Sequence, residues 1–128
     1  KLKRISTKAF AKCFSLYSIN YEGTIEEWYN INIDGNWRED SELVTIHCSD
    51  GDIDLNATYS VYYVSYNDDN KTDMIDLFKT LFGYELLDAK NNVENVGRIL
   101  ENVNTSYDEA SNISHQINKY GESYIVKL

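Results

Sequence analysis

The chain contains no proline, and its 128 residues include only two cysteines, two histidines and three arginines. Each shortage excludes something. Two cysteines cannot build a disulfide framework. Two cysteines and two histidines barely supply one structural zinc site, and no C-x-x-C or H-E-x-x-H spacing is present. Scarce arginine weakens any reading as a phosphoryl-transfer enzyme, which leans on guanidinium contacts to phosphate. There is no Gly-rich phosphate loop and no G-x-S-x-G. No run approaches the roughly 18 consecutive apolar residues of a membrane span. Positive charge is short as well. Against 21 Asp and Glu stand 12 Lys and Arg, for a net charge of -9, the wrong sign for an ordinary nucleic-acid binder.

What is present is apolar enough to fold. Hydrophobic residues make up 42% of the chain, sufficient for a core at this length. No repeat, low-complexity segment or Pro/Ser linker interrupts it, so a single α+β domain over residues 1–128 is expected. Tyrosine is over-used, with 11 residues. It supplies rigid contact area with a polar tip and is enriched at protein contacts, although strands also favour aromatics beside a core. Asn, Lys, Ile, Tyr and Asp are abundant, and Lys outnumbers Arg nine to three. AT-rich coding produces that bias, which points to a low-GC bacterium, its phage or a mobile element. The start Lys1-Leu2-Lys3-Arg4 has the look of a signal-peptide n-region, but Lys8 and Lys12 leave Ile5–Ile19 without an apolar h-region. No signal peptide and no membrane partner is expected, and the expected location is the cytoplasm of a bacterial host cell.

Charge is segregated along the chain. Residues 1–21 hold five bases (Lys1, Lys3, Arg4, Lys8, Lys12) and no acid. Residues 22–73 hold 13 acids against only Arg38 and Lys71. A field of that sign steers a basic partner toward it. A merely solvated acidic surface is the plainer reading. The basic start either packs against the acidic body or touches nucleic acid.

Hydrophobic spacing sets the expected elements. Ser6-Thr7 opens a helix whose apolar face is Ala9, Phe10, Cys13, Phe14 and Tyr17. Trp28 to Ile33 alternates as a strand does, followed by a turn at Asp34-Gly35-Asn36. Leu43–Ser49 alternates again, and Asp50-Gly51 is a hairpin signal. A loop of those two residues pairs Cys48 with Ile53, His47 with Asp54 and Ile46 with Leu55, matching apolar to apolar and polar to polar. Thr58–Tyr66 is a β-rich run. Thr72–Phe82 is a helix closed by Gly83, and Val93, Val96, Leu100 and Val103 mark another over about 92–103. Ser106 with Glu109 forms a capping box for a further helix, which Gly121 closes, and Glu122–Lys127 is a last strand. The expected order is α-β-β-β-α-α-α-β, an antiparallel sheet with an N-terminal helix and a C-terminal helical cluster.

Few residues suggest reaction chemistry. His47 and Cys48 point to opposite faces of one strand and cannot form a nucleophile–base pair. Cys13 and Cys48 are expected as small core residues, and His115 as a surface residue. Asp50, Asp52 and Asp54 imitate the start of an EF-hand loop, but Leu55 and Val61 stand where Gly and Glu are required. No catalytic residue, metal site or cofactor is expected.

What remains is surface. The polar face of the hairpin presents Asp52 and Asp54, and the flanking loops present Glu39, Asp40, Glu42, Asp68 and Asp69. Carboxylates two residues apart on a strand repeat at roughly 6.5–7 Å, close to successive phosphates on a nucleic-acid strand. Trp28, Trp37, Tyr62 and Tyr66 could add stacking contacts between them. In size and composition the chain resembles the small acidic anti-CRISPR and anti-restriction inhibitors of phages and mobile elements. That resemblance implies a non-enzymatic inhibitor of a nucleic-acid-handling defence protein, with a basic nuclease or CRISPR effector as partner and no sequence-specific nucleic-acid contact. Two alternatives stand beside it. One is an immunity protein that neutralises a basic nuclease toxin. The other is an accessory structural domain of a phage or host, self-associating at an exposed edge around Tyr124–Val126.

Overall fold

The longest strand, β6 (Tyr59–Tyr66), organises the C-terminal half. It belongs to a computed structural model that describes residues 4–6, 8–34 and 36–128. Lys1, Leu2, Lys3, Thr7 and Gly35, to which the basic start, the first helix cap and one turn were assigned above, lie outside the described residues. Along β6, Tyr59, Val61 and Tyr63 are fully buried on one face, as period-two alternation dictates. β8 (Gly121–Lys127) runs antiparallel beside it and β7 (Arg98–Ile99) pairs antiparallel on its other edge, for the order β7-β6-β8. Gly121 sits where β8 approaches β6 most closely: a Cβ there would meet the Ser65 carbonyl oxygen and lie 2.9 Å from Met74 Cε. Two helices cover the buried face. α2 (Lys71–Phe82) inserts Met74 and Phe78 and ends at Gly83. α4 (Tyr107–Ile117) is capped by Ser106, whose Oγ accepts the Glu109 N–H at 3.2 Å. These four elements lie where the sequence places them, except that α4 ends at Ile117 with Asn118 as its cap, and Gly121 opens β8 rather than closing the helix.

The N-terminal half differs from expectation. The helix over Ala9–Tyr17 is absent. Instead come β1 (Arg4–Ile5), a series of turns, and β2 (Ser18–Asn20). The helical spacing of apolar residues is overridden by backbone pairing to distant segments. Phe10 donates its N–H to the Trp37 carbonyl at 2.6 Å, and Lys12 donates to that of Glu39 at 2.7 Å. Lys8 and Lys12 take positive φ, incompatible with a helix. The strand over Trp28–Ile33 is replaced by α1 (Ile25–Tyr29) and a short β3 (Asn32–Ile33). A capping box of Thr24 and Glu27 nucleates α1. It buries Trp28, and Ile31, three residues on, is buried just beyond the helix end.

Two further expectations are corrected. The helix predicted over 92–103 is α3 (Leu86–Glu94), which stops before Gly97 with φ 73° and is followed by β7. The hairpin of β4 (Thr45–Cys48) and β5 (Gly51–Asp54) turns at Ser49-Asp50, and Ile46 faces Ile53 while His47 faces Asp52. The register is two residues from the expected one. An even shift keeps every side chain on its predicted face, so the polarity match is equally good. The turn also lets Asp50 Oδ1 accept the Ile25 N–H at 2.8 Å, satisfying an orphan donor at the start of α1.

The class is mixed α+β, but there is no single antiparallel sheet and the order α-β-β-β-α-α-α-β does not hold. Among the described residues, β1 pairs with β3 in parallel, β2 pairs in parallel with β4 in the sheet β2-β4-β5, and only β7-β6-β8 is antiparallel throughout. One buried cluster runs from Ile5 to Ile125. Its N-terminal part is a chain of rings: Phe10–Trp37, Trp37–Trp28 and Trp28–Tyr21, with centroids 5.8, 6.3 and 5.3 Å apart. Most tyrosines serve this core. Tyr59, Tyr63 and Tyr107 are fully buried, and Tyr17 and Tyr124 are the two left half or more exposed.

Burial pushes the phenols of Tyr59, Tyr63 and Tyr107 well up from their ordinary value. A raised folded-state pKa contributes stability that is complete below the unfolded value, about 10, and is lost as pH rises through the folded one. Stability is therefore expected to fall steadily above about pH 10. In an absorbance titration these phenols should stay neutral until the chain unfolds. Smooth ionisation of all tyrosines near their ordinary value, with the fold intact, would contradict this.

Candidate functional site

The two bases within the acidic stretch are both taken up by structure. Arg38 donates from Nε to Asp108 Oδ2 at 3.2 Å, from one terminal nitrogen to the Leu43 carbonyl at 3.0 Å, and from the other to that of Leu55 at 3.4 Å. Lys71 pairs with Glu94 and lies 5.6 Å from the Tyr66 ring centroid. Neither is directed at the hairpin's acids, so the carboxylates of 22–73 are little neutralised from within their own segment.

The outward face of the β2-β4-β5 sheet is a small polar grid. Register places Ser18, Thr45 and Asp54 in one row, and Asn20, His47 and Asp52 in the next. Ile46 and Ile53 point the other way and are buried. Asp52 Oδ1 lies 2.7 Å from His47 Nδ1, which holds it across the strands. Asp54 Oδ1 accepts the Asn56 N–H at 2.9 Å and has no cationic partner among the described residues. β5 is an edge strand, and charge on such an edge also discourages unwanted pairing.

The loop carrying Glu39, Asp40 and Glu42 adjoins the open end of this hairpin, because it leads directly into β4. Glu39 lies 3.8 Å from Lys8 and is partly balanced. Asp40 adopts φ 55° on an exposed turn, and Glu42 is exposed; neither has a cationic partner among the described residues. The strand of chain leading into β2 borders this loop. The Ser41 hydroxyl donates to the Cys13 carbonyl at 3.4 Å, and the Val44 N–H donates to that of Tyr17 at 3.0 Å. Phe14 and Tyr17 on that strand are 62% and 60% exposed. Two bare aromatic rings therefore edge the acidic loop. Their spacing in the sequence predicts a helix face for both. Nothing local could have corrected it, since their exposure follows from long-range backbone pairing.

The remaining expectations divide. Asp68 and Asp69 are exposed in the turn before α2, at the far end of β6. Seven residue steps of strand carry them about 23 Å from its start, so they do not join the hairpin acids. Trp28 and Trp37 are each 1% exposed and cannot stack on a ligand. Tyr62 is half-buried and stacked on Tyr124, with centroids 5.0 Å apart. Tyr66 is half-buried beneath Lys71.

Little reactive geometry accompanies this surface. Exposed His47 and half-buried Cys48 lie on opposite faces of β4. Burial, and then the charges of Asp50 and Asp52, push the Cys48 thiol up, away from thiolate character. Asp50, Asp52 and Asp54 are directed at the Ile25 N–H, His47 and the Asn56 N–H respectively, and so do not converge on one ion. Among the described residues, no group of three or more His, Cys, Asp and Glu is placed to hold a metal, and no helix is long and apolar enough to cross a membrane. No protein-family model, curated protein or solved structure matches the chain.

Two sets of substitutions should separate support from surface. Arg38→Ala removes charged hydrogen bonds to Asp108 and two carbonyls, and is expected to cost about 2–3 kcal/mol in urea unfolding. Phe14→Ser with Tyr17→Ser should stay within about 0.5 kcal/mol of the parent. A large loss from the second pair would mean that the exposed rings serve the fold.

Proposed function

We propose that this chain is a non-enzymatic inhibitor that binds a basic, nucleic-acid-handling defence protein, such as a CRISPR effector, through the acidic face of the hairpin and its neighbouring loop. The observation that carries this reading is the sequestration of Arg38 and Lys71, which leaves Asp40, Glu42 and Asp54 without a cationic partner among the described residues. Asp52 and Asp54 lie two residues apart on β5, a separation of roughly 6.5–7 Å that suits a groove built for successive phosphates. Phe14 and Tyr17 supply the aromatic anchors on which protein interfaces concentrate their binding energy. The mimicry is short, because Asp68 and Asp69 do not extend it. Cytoplasmic action follows from the nature of such a target.

A second reading rests on a separate observation. On the outward face of the β7-β6-β8 sheet, Ile99, Tyr62 and Tyr124 lie in one cross-strand row, with Ile99 46% and Tyr124 50% exposed. An apolar row of that kind favours an accessory domain that assembles with other copies.

The test is capture from lysates of low-GC bacteria, including cells that express Cas9, at low salt and at roughly 0.5 M salt, where charge attraction is screened within a few ångströms. The expected result is one basic nuclease or effector, held in stoichiometric amount at low salt and released at high salt. Asp52→Lys with Asp54→Lys should abolish capture. Salt-indifferent binding would contradict the electrostatic basis, and capture of this chain alone would favour the assembly reading.

A further inference from the structure

A groove of about 730 Å³ lies between α1 and β8, with the β4–β5 turn and the end of α4 as its other walls. That size falls within the roughly 300–1,000 Å³ of typical ligand sites. Its charge has one sign. Glu26 from α1, Asp50 from the turn and Glu122 from β8 line it, and among the described residues no Lys or Arg does. All three carboxylates are exposed, and none has a cationic partner among the described residues. Ile25 and Tyr29 add apolar wall.

The β8 side of the groove is an unpaired sheet edge, since among the described residues β8 pairs with β6 alone. The carbonyls of Val61 and Tyr63 face β7, accepting the Leu100 and Gly97 N–H groups at 2.9 and 2.7 Å. Opposite them on β8 stand Ile125 and Ser123. In an antiparallel ladder the two members of such a pair turn their backbone groups away from each other. Ile125 and Ser123 therefore turn theirs to the outer edge, where both residues line the groove. Asn118 Oδ1 takes the Ser123 N–H at 2.7 Å. The Ser123 carbonyl and both backbone groups of Ile125 have no backbone partner among the described residues.

We infer that this groove takes an extended basic segment of a partner protein, added as a strand along β8, with its Lys or Arg side chains reaching Glu26, Asp50 and Glu122. Main-chain hydrogen bonds supply the affinity of strand addition, and the alternating side chains supply its selectivity. The acids select against neutral and acidic strands. The groove is separate from the outward face of the hairpin, and neither reading rests on the other.

The probe is a fluorescent, end-blocked hexapeptide of alternating Lys and Val, followed by anisotropy with the full chain. Two control peptides replace Lys by Glu, or methylate alternate backbone nitrogens. The Lys–Val peptide should bind saturably and protect the Ile125 amide from hydrogen exchange, and both controls should fail. Glu26→Gln with Glu122→Gln should weaken binding about tenfold, roughly 1.4 kcal/mol. Asp52→Asn with Asp54→Asn should leave it unchanged. Absence of saturable binding would overturn the inference. So would equal binding of a methylated peptide, or loss of affinity in the hairpin variant but not in the groove variant.

Discussion

Arg38 joins the first turn of α4 to both ends of the β4–β5 hairpin. Its guanidinium contacts Asp108, the Leu43 carbonyl before β4 and the Leu55 carbonyl after β5. Trp37 adds a second anchor, donating its indole N–H to Asp108 at 2.8 Å. Asp108 is well placed to receive both, because the helix dipole favours a carboxylate there. Arginine suits this point better than lysine, since its planar fork serves three acceptors at once. The hairpin is thereby fastened to the helix that covers β6. The same contacts hold the Arg38 charge on Asp108 and two carbonyls rather than on the hairpin acids.

The basic start of the chain completes the electrostatic picture. Arg4 pairs with Asp34 at 2.9 Å and Lys8 lies 3.8 Å from Glu39. The main chain of residues 8–12 runs along residues 36–39. Of the two roles open to that segment, packing against the acidic body describes Arg4 and Lys8. It offsets Asp34 and Glu39 and leaves Asp40, Glu42 and Asp54 without a cationic partner among the described residues. A partner approaching the hairpin meets acid and exposed aromatic rings together, a combination suited to a basic groove with apolar walls.

Long periodic segments with local caps were legible in the sequence. α2, α4, β6 and β8 carry their own pattern, and Ser106 and Gly83 mark their ends. The short elements were not. Val93, Val96, Leu100 and Val103 mimic a helix, yet they span the end of α3, Gly97 and β7. Trp28 to Ile33 alternates in polarity, but Thr24 and Glu27 were a readable helix start just upstream. Phe10, Phe14 and Tyr17 could not be resolved locally, because their segment follows loops about thirty residues further on. Of the candidate site, Asp52 and Asp54 were correctly placed on one face despite the shifted register. Asp68 and Asp69 stand apart from them, because β6 carries the chain about 23 Å before they are reached.

The proposed function requires that the acidic face occupy a site its partner otherwise uses for nucleic acid. The most direct measurement is equilibrium competition on the captured partner, between this chain and a labelled oligonucleotide that the partner binds. Mutual exclusion is expected, with each molecule of this chain releasing one bound oligonucleotide. A stable ternary complex that holds both at full occupancy would contradict it.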